Sequence, residues 1–195
     1  MLERALFGLD TPLRRLPVGG YRPEPEGRQM PAAVLLGLVR ASIPEVLLAR
    51  RSDALSRHPG QVALPGGGAE TGDGSVVATA LRETREETGI PESAITPVGL
   101  LGRYDTITGY RITVVVGWIA AGVVWQPDRR EIDELFTVPV THLTDPDNFQ
   151  RQIAHFRDRR FELLTLKHPR HHIWGATAAI LHDFASRIGA SGPVR

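Results

Sequence analysis

Cysteine is absent from the 195 residues, which excludes disulfides, thiolate metal sites and a cysteine nucleophile together. Lysine is almost absent as well: Lys167 stands alone, so 22 of the 23 basic residues are arginine. They are scattered along the chain and read as compositional bias rather than a binding stripe. Against 22 acids they leave a formal charge of +1, too little for a chain-wide footprint toward nucleic acid or an anionic membrane. Long hydrophobic runs are missing too. The longest nearly apolar stretch, residues 112–125, is too short to span a bilayer as a helix and contains Thr113 and two glycines. The first residues, Met1-Leu2-Glu3-Arg4, lack a basic head followed by an apolar run. The expectation is a cytoplasmic protein with neither a membrane nor a nucleic acid as partner, and any metal must find oxygen or imidazole ligands.

What is present is a globular composition, 42% hydrophobic and 23% charged, long enough to bury one core. A Pro/Gly-rich stretch at residues 17–25 separates an N-terminal arm, residues 1–30, from a domain at residues 31–190. Apolar, β-branched runs at residues 32–39, 46–49, 112–120 and 135–140 predict buried strands. Helical spacing of Val77, Leu81, Thr84 and Thr88 predicts a central helix that Ser75 caps and Gly89 ends. A second apolar stripe at helical spacing runs over residues 173–188, interrupted at Thr177. Strands interleaved with helices argue for an α/β sandwich.

The central helix carries Arg82-Glu83-Thr84-Arg85-Glu86-Glu87. At about 100° per residue, Glu83, Glu86 and Glu87 share a face away from the apolar stripe. Their mutual repulsion is only about 0.2–0.5 kcal/mol per pair, so the cluster alone is compatible with plain solvated surface. The flank adds weight: Pro65-Gly66-Gly67-Gly68 and Gly72-Asp73-Gly74 form a glycine-rich entry that brings a fourth acid, Asp73, close to the helix start.

Taken with Gly89-Ile90, these residues resemble the Nudix hydrolase box: Gly, five residues, Glu, seven residues, then Arg-Glu-apolar-x-Glu-Glu-x-Gly-apolar. With Gly67 as the first glycine, Asp73 stands at the first Glu position, one extra residue precedes Arg82, and Thr84 replaces the usual aliphatic residue. Upstream, Arg51-Ser52, then Arg57-His58-Pro59-Gly60-Gln61-Val62-Ala63-Leu64-Pro65-Gly66-Gly67, is similar to the coenzyme A pyrophosphatase branch, which also carries the extra residue. Ala49, Ser56 and Leu64 depart from that branch. The resemblance covers residues 47–90.

It implies an α/β/α sandwich with a mixed β-sheet and hydrolysis of a nucleoside diphosphate derivative with Mg²⁺ or Mn²⁺. The implied substrate is coenzyme A or its acyl or dephospho forms, cut to a 4′-phosphopantetheine and an adenosine phosphate. Glu83 and Glu87 are the implied metal ligands, Glu86 a further ligand or the base that orients water, and Arg82 a brace for the carboxylates. Glu131 or Glu134 is a candidate base from outside the box. Arg51, Arg57 and His58, with Gly66 and Gly67, are candidate substrate contacts; Arg50 is weighed as a phosphate grip or surface charge. Tyr104 and Tyr110 are weighed as adenine stacking partners or core packing, and His168, His171 and His172 as loop residues rather than a metal site. A homodimer is common among similar proteins. Alternatives are a Nudix pyrophosphatase for ADP-ribose or NADH, and a nucleotide-binding module without turnover.

Overall fold

The computed structural model describes residues 2–9, 15–17, 29–156 and 159–190. Its strands are β1 (Arg15–Pro17), β2 (Met30–Val39), β3 (Glu45–Arg51), β4 (Val62–Ala63), β5 (Gly66–Gly68), β6 (Ile95–Asp105), β7 (Tyr110–Ile119), β8 (Ile132–Pro139), β9 (Phe149–Phe156), β10 (Arg159–Leu166) and β11 (Ile173–Trp174). The helices are α1 (Val76–Thr88), α2 (Val140–Thr144) and α3 (Gly175–Ala190). One sheet runs β1-β6-β7-β2-β3-β4, with β5 added on β2 and β8 on β3. It is mixed: β2 pairs parallel with β7 over its whole length and antiparallel with β3 and β5. The fold is thus the expected α/β sandwich, with α1 on one face and α3 on the other.

Strand periodicity sorts the core into two clusters. On β2, Ala33 and Leu35 pack with Ala80 of α1, whereas Val34, Leu36 and Leu38 pack with Phe184 and Ile188 of α3. Because both faces are covered, β2 reads as a continuous apolar run rather than an alternation. A second, three-stranded sheet, β11-β10-β9, lies on the α3 side and contributes Leu166 and Ile173 to that cluster.

Several elements depart from the sequence reading. Residues 173–174 are a strand paired with Thr165 and Leu166, and the helix begins at Gly175. Thr177 breaks the stripe because its hydroxyl donates to the Val62 carbonyl at 3.0 Å, tying α3 to β4. Strand β6 escaped the sequence reading because Pro97, Gly99 and Gly102 interrupt it; the structure accommodates them at two register shifts against β7. The β9–β10 hairpin was missed as well. Within the residues expected to form an N-terminal arm, β1 runs parallel to Arg103–Asp105 and Phe7 exchanges backbone hydrogen bonds with Leu100, both on β6.

Gly89 closes α1 in the left-handed region, φ 71°, its N–H donating to the Arg85 carbonyl. A β-carbon there would lie 2.7 Å from the Gln126 carbonyl oxygen. Gly89→Ala is therefore expected to cost at least about 1–2 kcal/mol, read as a lowered urea midpoint at constant m-value.

Candidate active site

The site grows from the entry to α1. Ser75 caps the helix, its hydroxyl accepting from the Ala78 N–H at 3.1 Å. Just upstream, Asp73 accepts two hydrogen bonds from Arg82, Nε to Oδ1 and Nη2 to Oδ2, both 3.0 Å. Thr79 Oγ1 donates to the same carboxylate at 2.9 Å. This bidentate pair holds the Asp73 carboxyl far below the usual carboxylate range, the Arg82 hydrogen bonds being the leading cause. The shorter Asp at a Glu position is thus satisfied without a gap. Arg82 also reaches the Gly68 carbonyl at 3.0 Å, Glu83 at 3.0 Å and Glu86 at 3.3 Å. It is a brace joining the loop to the helix acids, and it does not line the cavity described below.

Thr84 and Thr88 sit on the buried face of α1, Thr84 where an aliphatic residue would be more usual. Their hydroxyls bond back to the carbonyls of Ala80 (2.7 Å) and Thr84 (2.6 Å), so neither is left unsatisfied.

Glu87 is 5% exposed. Its Oε2 accepts from the Gly66 N–H at 2.9 Å, and its Oε1 lies 3.4 Å from Arg51 Nη1. Burial pushes its carboxyl up to about 7, only partly offset by Gly66 and Arg51, with Glu83 and Glu131 adding repulsion. The Glu83 carboxyl is raised too, again chiefly by burial, against the pull of Arg82. Gly66 and Gly67 are required by this packing. A β-carbon on Gly66 (φ 149°) would lie 2.4 Å from the Ala33 carbonyl oxygen, and one on Gly67 would lie 2.5 Å from Glu83 Oε2. The glycine segment is thus a strand pressed between β2 and the α1 carboxylates, rather than a free phosphate-cradling loop.

A cavity of about 430 Å³ opens over these groups. Glu83, Glu87, Glu131, Arg51, Arg57, His58, Gly66 and Gly67 all line it. Glu86 does not: it is half-exposed and held by Arg82 and Arg85 at 3.3 and 3.6 Å. The two candidate bases also separate, since Glu134 lies outside the cavity, 3.1 Å from Arg170 and 3.5 Å from His171. Arg50 turns away, bonded to Asp133 at 2.5 Å and Asp53 at 2.6 Å. Arg51, by contrast, keeps a buried Nε without a hydrogen-bond partner. Arg57 makes no ion pair among the described residues, and His58 Nδ1 is 2.8 Å from Gln61 Oε1. Tyr104 is buried, its hydroxyl donating to Asp183, and belongs to the core, whereas Tyr110 reaches the cavity. His171 stacks on Phe136 at 3.9 Å and His168 on His171 at 5.0 Å. Residues that the sequence reading missed complete the lining: Thr106, Ile107 and Thr108 from the β6–β7 turn, and Phe161, Leu163 and Trp174 from the second sheet. The apolar residues Phe161, Leu163, Leu164 and Leu166 of β10 were the available signal.

Among the described residues no three acidic or histidine side chains form a ready-made metal set. One buried and one partly buried carboxylate facing one cavity, both with raised protonation, nevertheless fit a hard cation. Mg²⁺ and Mn²⁺ take oxygen ligands, and Mg²⁺ is typically held by one or two carboxylates plus waters and substrate phosphates.

The raised Glu87 value fixes the sign of a pH effect. Unfolded, this carboxyl ionises near the ordinary glutamate value of 4.5; folded, it holds its proton to about 7. The folded state therefore binds more protons between these values, and its stability falls as pH rises through that window. In chelator-treated protein we expect a loss of about 1–3 kcal/mol between pH 4.5 and 7.5, absent in Glu87→Gln, as measured by urea unfolding.

The NUDIX domain model matches residues 28–161. A relative from Klebsiella pneumoniae, named uncharacterized Nudix hydrolase NudL, is 36% identical over 195 residues, covering 97% of this chain and 99% of its own length. A second of that name, from Pectobacterium atrosepticum, is 37% identical over 164 residues, covering 84% of this chain and 85% of its own. Among solved structures, the Nudix hydrolase RenU of M. smegmatis superposes with a TM-score of 0.55 at 23% identity, over 87% of this chain and 90% of that one, which supports the fold. None of the described helices is long and apolar enough to cross a membrane. Matched over most of its length by the domain and end to end by a relative, the chain belongs to the Nudix hydrolase family.

Proposed function

We propose that the protein hydrolyses the diphosphate bond of coenzyme A or its acyl or dephospho derivatives. The products are 4′-phosphopantetheine, or its acyl form, and adenosine 3′,5′-bisphosphate, or AMP from the dephospho form. Water adds across the P–O–P bridge, one phosphorus gaining the hydroxyl and the other leaving with the bridging oxygen. The observation that carries this reading is the pairing, in one cavity, of the Glu83 and Glu87 carboxylates with Arg51 and Arg57. A metal-assisted diphosphate hydrolase needs both signs: acids for the cation and arginines for the phosphate oxygens.

Glu83 and Glu87 would hold Mg²⁺ or Mn²⁺, which would screen the diphosphate charge and acidify a bound water. Glu86, beside Arg82 at the rim, is the further ligand or water-orienting group. Glu131 is our candidate base because it shares the cavity with Glu83 and Glu87. The unpartnered Nε of Arg51 supplies a donor toward phosphate oxygen. Arg57, exposed and free of ion pairs among the described residues, is placed to read the 3′-phosphate. The coenzyme A assignment rests on the upstream segment from Arg51 to Gly67. We also propose a cytoplasmic setting, a homodimer, and the division of the chain into an arm at residues 1–30 and a domain at residues 31–190.

Parallel assays with Mg²⁺ and with Mn²⁺ on coenzyme A, dephospho-coenzyme A, ADP-ribose and NADH test the reading. The highest kcat/KM is expected for coenzyme A. A preference for ADP-ribose or NADH would reject the substrate, and silence on all four with bound nucleotide would favour a module without turnover. Glu87→Gln should fold and lose at least about 10²-fold in turnover. Arg57→Ala should lower kcat/KM for coenzyme A about 10-fold, and less for dephospho-coenzyme A, which lacks the 3′-phosphate.

A further inference from the structure

The cavity has a second, chemically different end. Phe161, Leu163 and Leu164 of β10, Trp174 of β11, and Ile107 and Ile112 around the β6–β7 turn line it. All six are half-buried, so each keeps apolar surface toward the cavity. Phe161 and Leu163 are two residues apart on one strand and share a face. The one charged neighbour on that stretch, Glu162, is paired with Arg151 of β9 at 2.6 Å. Three of the six, Leu163, Leu164 and Trp174, lie beyond residue 161, where the match to the NUDIX domain ends.

We propose that this wall is a lobe for the acyl chain of a coenzyme A thioester, so that the protein selects thioesters by chain length. The inference rests on the coenzyme A reading above. With the diphosphate at the charged end, the pantetheine arm is the only part of that substrate that leads away from both the phosphates and the adenosine, and it ends in the thioester. A hydrocarbon chain suits these six side chains, whose one polar group is the Trp174 indole N–H, although Thr106, Thr108 and Glu162 line the cavity beside them.

The test uses the full chain. Calorimetric titration in chelator, where no turnover complicates binding, compares coenzyme A, acetyl-coenzyme A and octanoyl-coenzyme A; kcat/KM is then measured on the same three with Mg²⁺. Full burial would tighten binding up to about 4-fold per methylene. Since the lobe is open on one side, we expect octanoyl to exceed acetyl by at least about 10-fold in both measurements. Trp174→Ala and Leu163→Ser should each bring the octanoyl-to-acetyl ratio close to one; because the ratio is internal, partial loss of folded protein does not alter it. A ratio near one in the wild type, or one unchanged by both variants, overturns the lobe while hydrolysis of all three compounds keeps the coenzyme A reading. Failure to bind or cleave any of the three, with ADP-ribose cleaved, overturns that reading and the lobe with it.

Discussion

A carboxylate buried against a glycine amide is the constraint around which this molecule is arranged. Removing an ionised carboxylate from water costs several kcal/mol, and one N–H donor with one long arginine contact does not offset it. Glu87 therefore needs its neighbours to be close and correctly aimed. That requirement presses β5 against both β2 and α1, and only glycine tolerates the two approaches at positions 66 and 67. It also fixes the entry of α1, whose first turns are bolted to the loop by Asp73, Thr79 and Arg82. The strain of the site is electrostatic rather than steric, and a bound cation would relieve it.

The central helix was legible because its signals are local. A serine cap, a glycine end and a carboxylate pattern at helical spacing need no tertiary information, and the structure matches them to the residue. What the spacing did not reveal was the difference among the three acids. On a wheel, Glu83, Glu86 and Glu87 share a face; in the fold, β5 covers one side of that face, leaving Glu86 at the rim while Glu83 and Glu87 turn into the cavity. Equally local was the reason for missing β6: glycines and a proline within a strand look like turns until a partner strand absorbs them at bulges.

Adjacent residues of the same type were separated by strand geometry. Arg50 and Arg51 end β3, where side chains alternate between faces. One is captured by Asp53 and Asp133, and the other enters the site with donors to spare. Glu131 and Glu134 diverge likewise, one into the cavity and one toward Arg170. In both pairs the composition of the segment was informative and its register decided which residue was available for chemistry.

The division of the cavity follows from the division of the sheets. The large mixed sheet and α1 supply charge: their backbones are rigid, doubly covered, and can hold desolvated carboxylates in place. The smaller sheet is antiparallel, and its strands present opposite faces at alternate residues. Leu166 and its cross-strand partner Ile173 turn one face to the core against α3, whereas Phe161, Leu163 and Trp174 stand on the other face and line the cavity. The apolar wall is thus drawn mainly from the sheet face opposite the core. A scaffold can change the apolar part of its cavity in this way without disturbing its charges, because Phe161, Leu163 and Trp174 belong to a different sheet from the one that packs against Glu83 and Glu87.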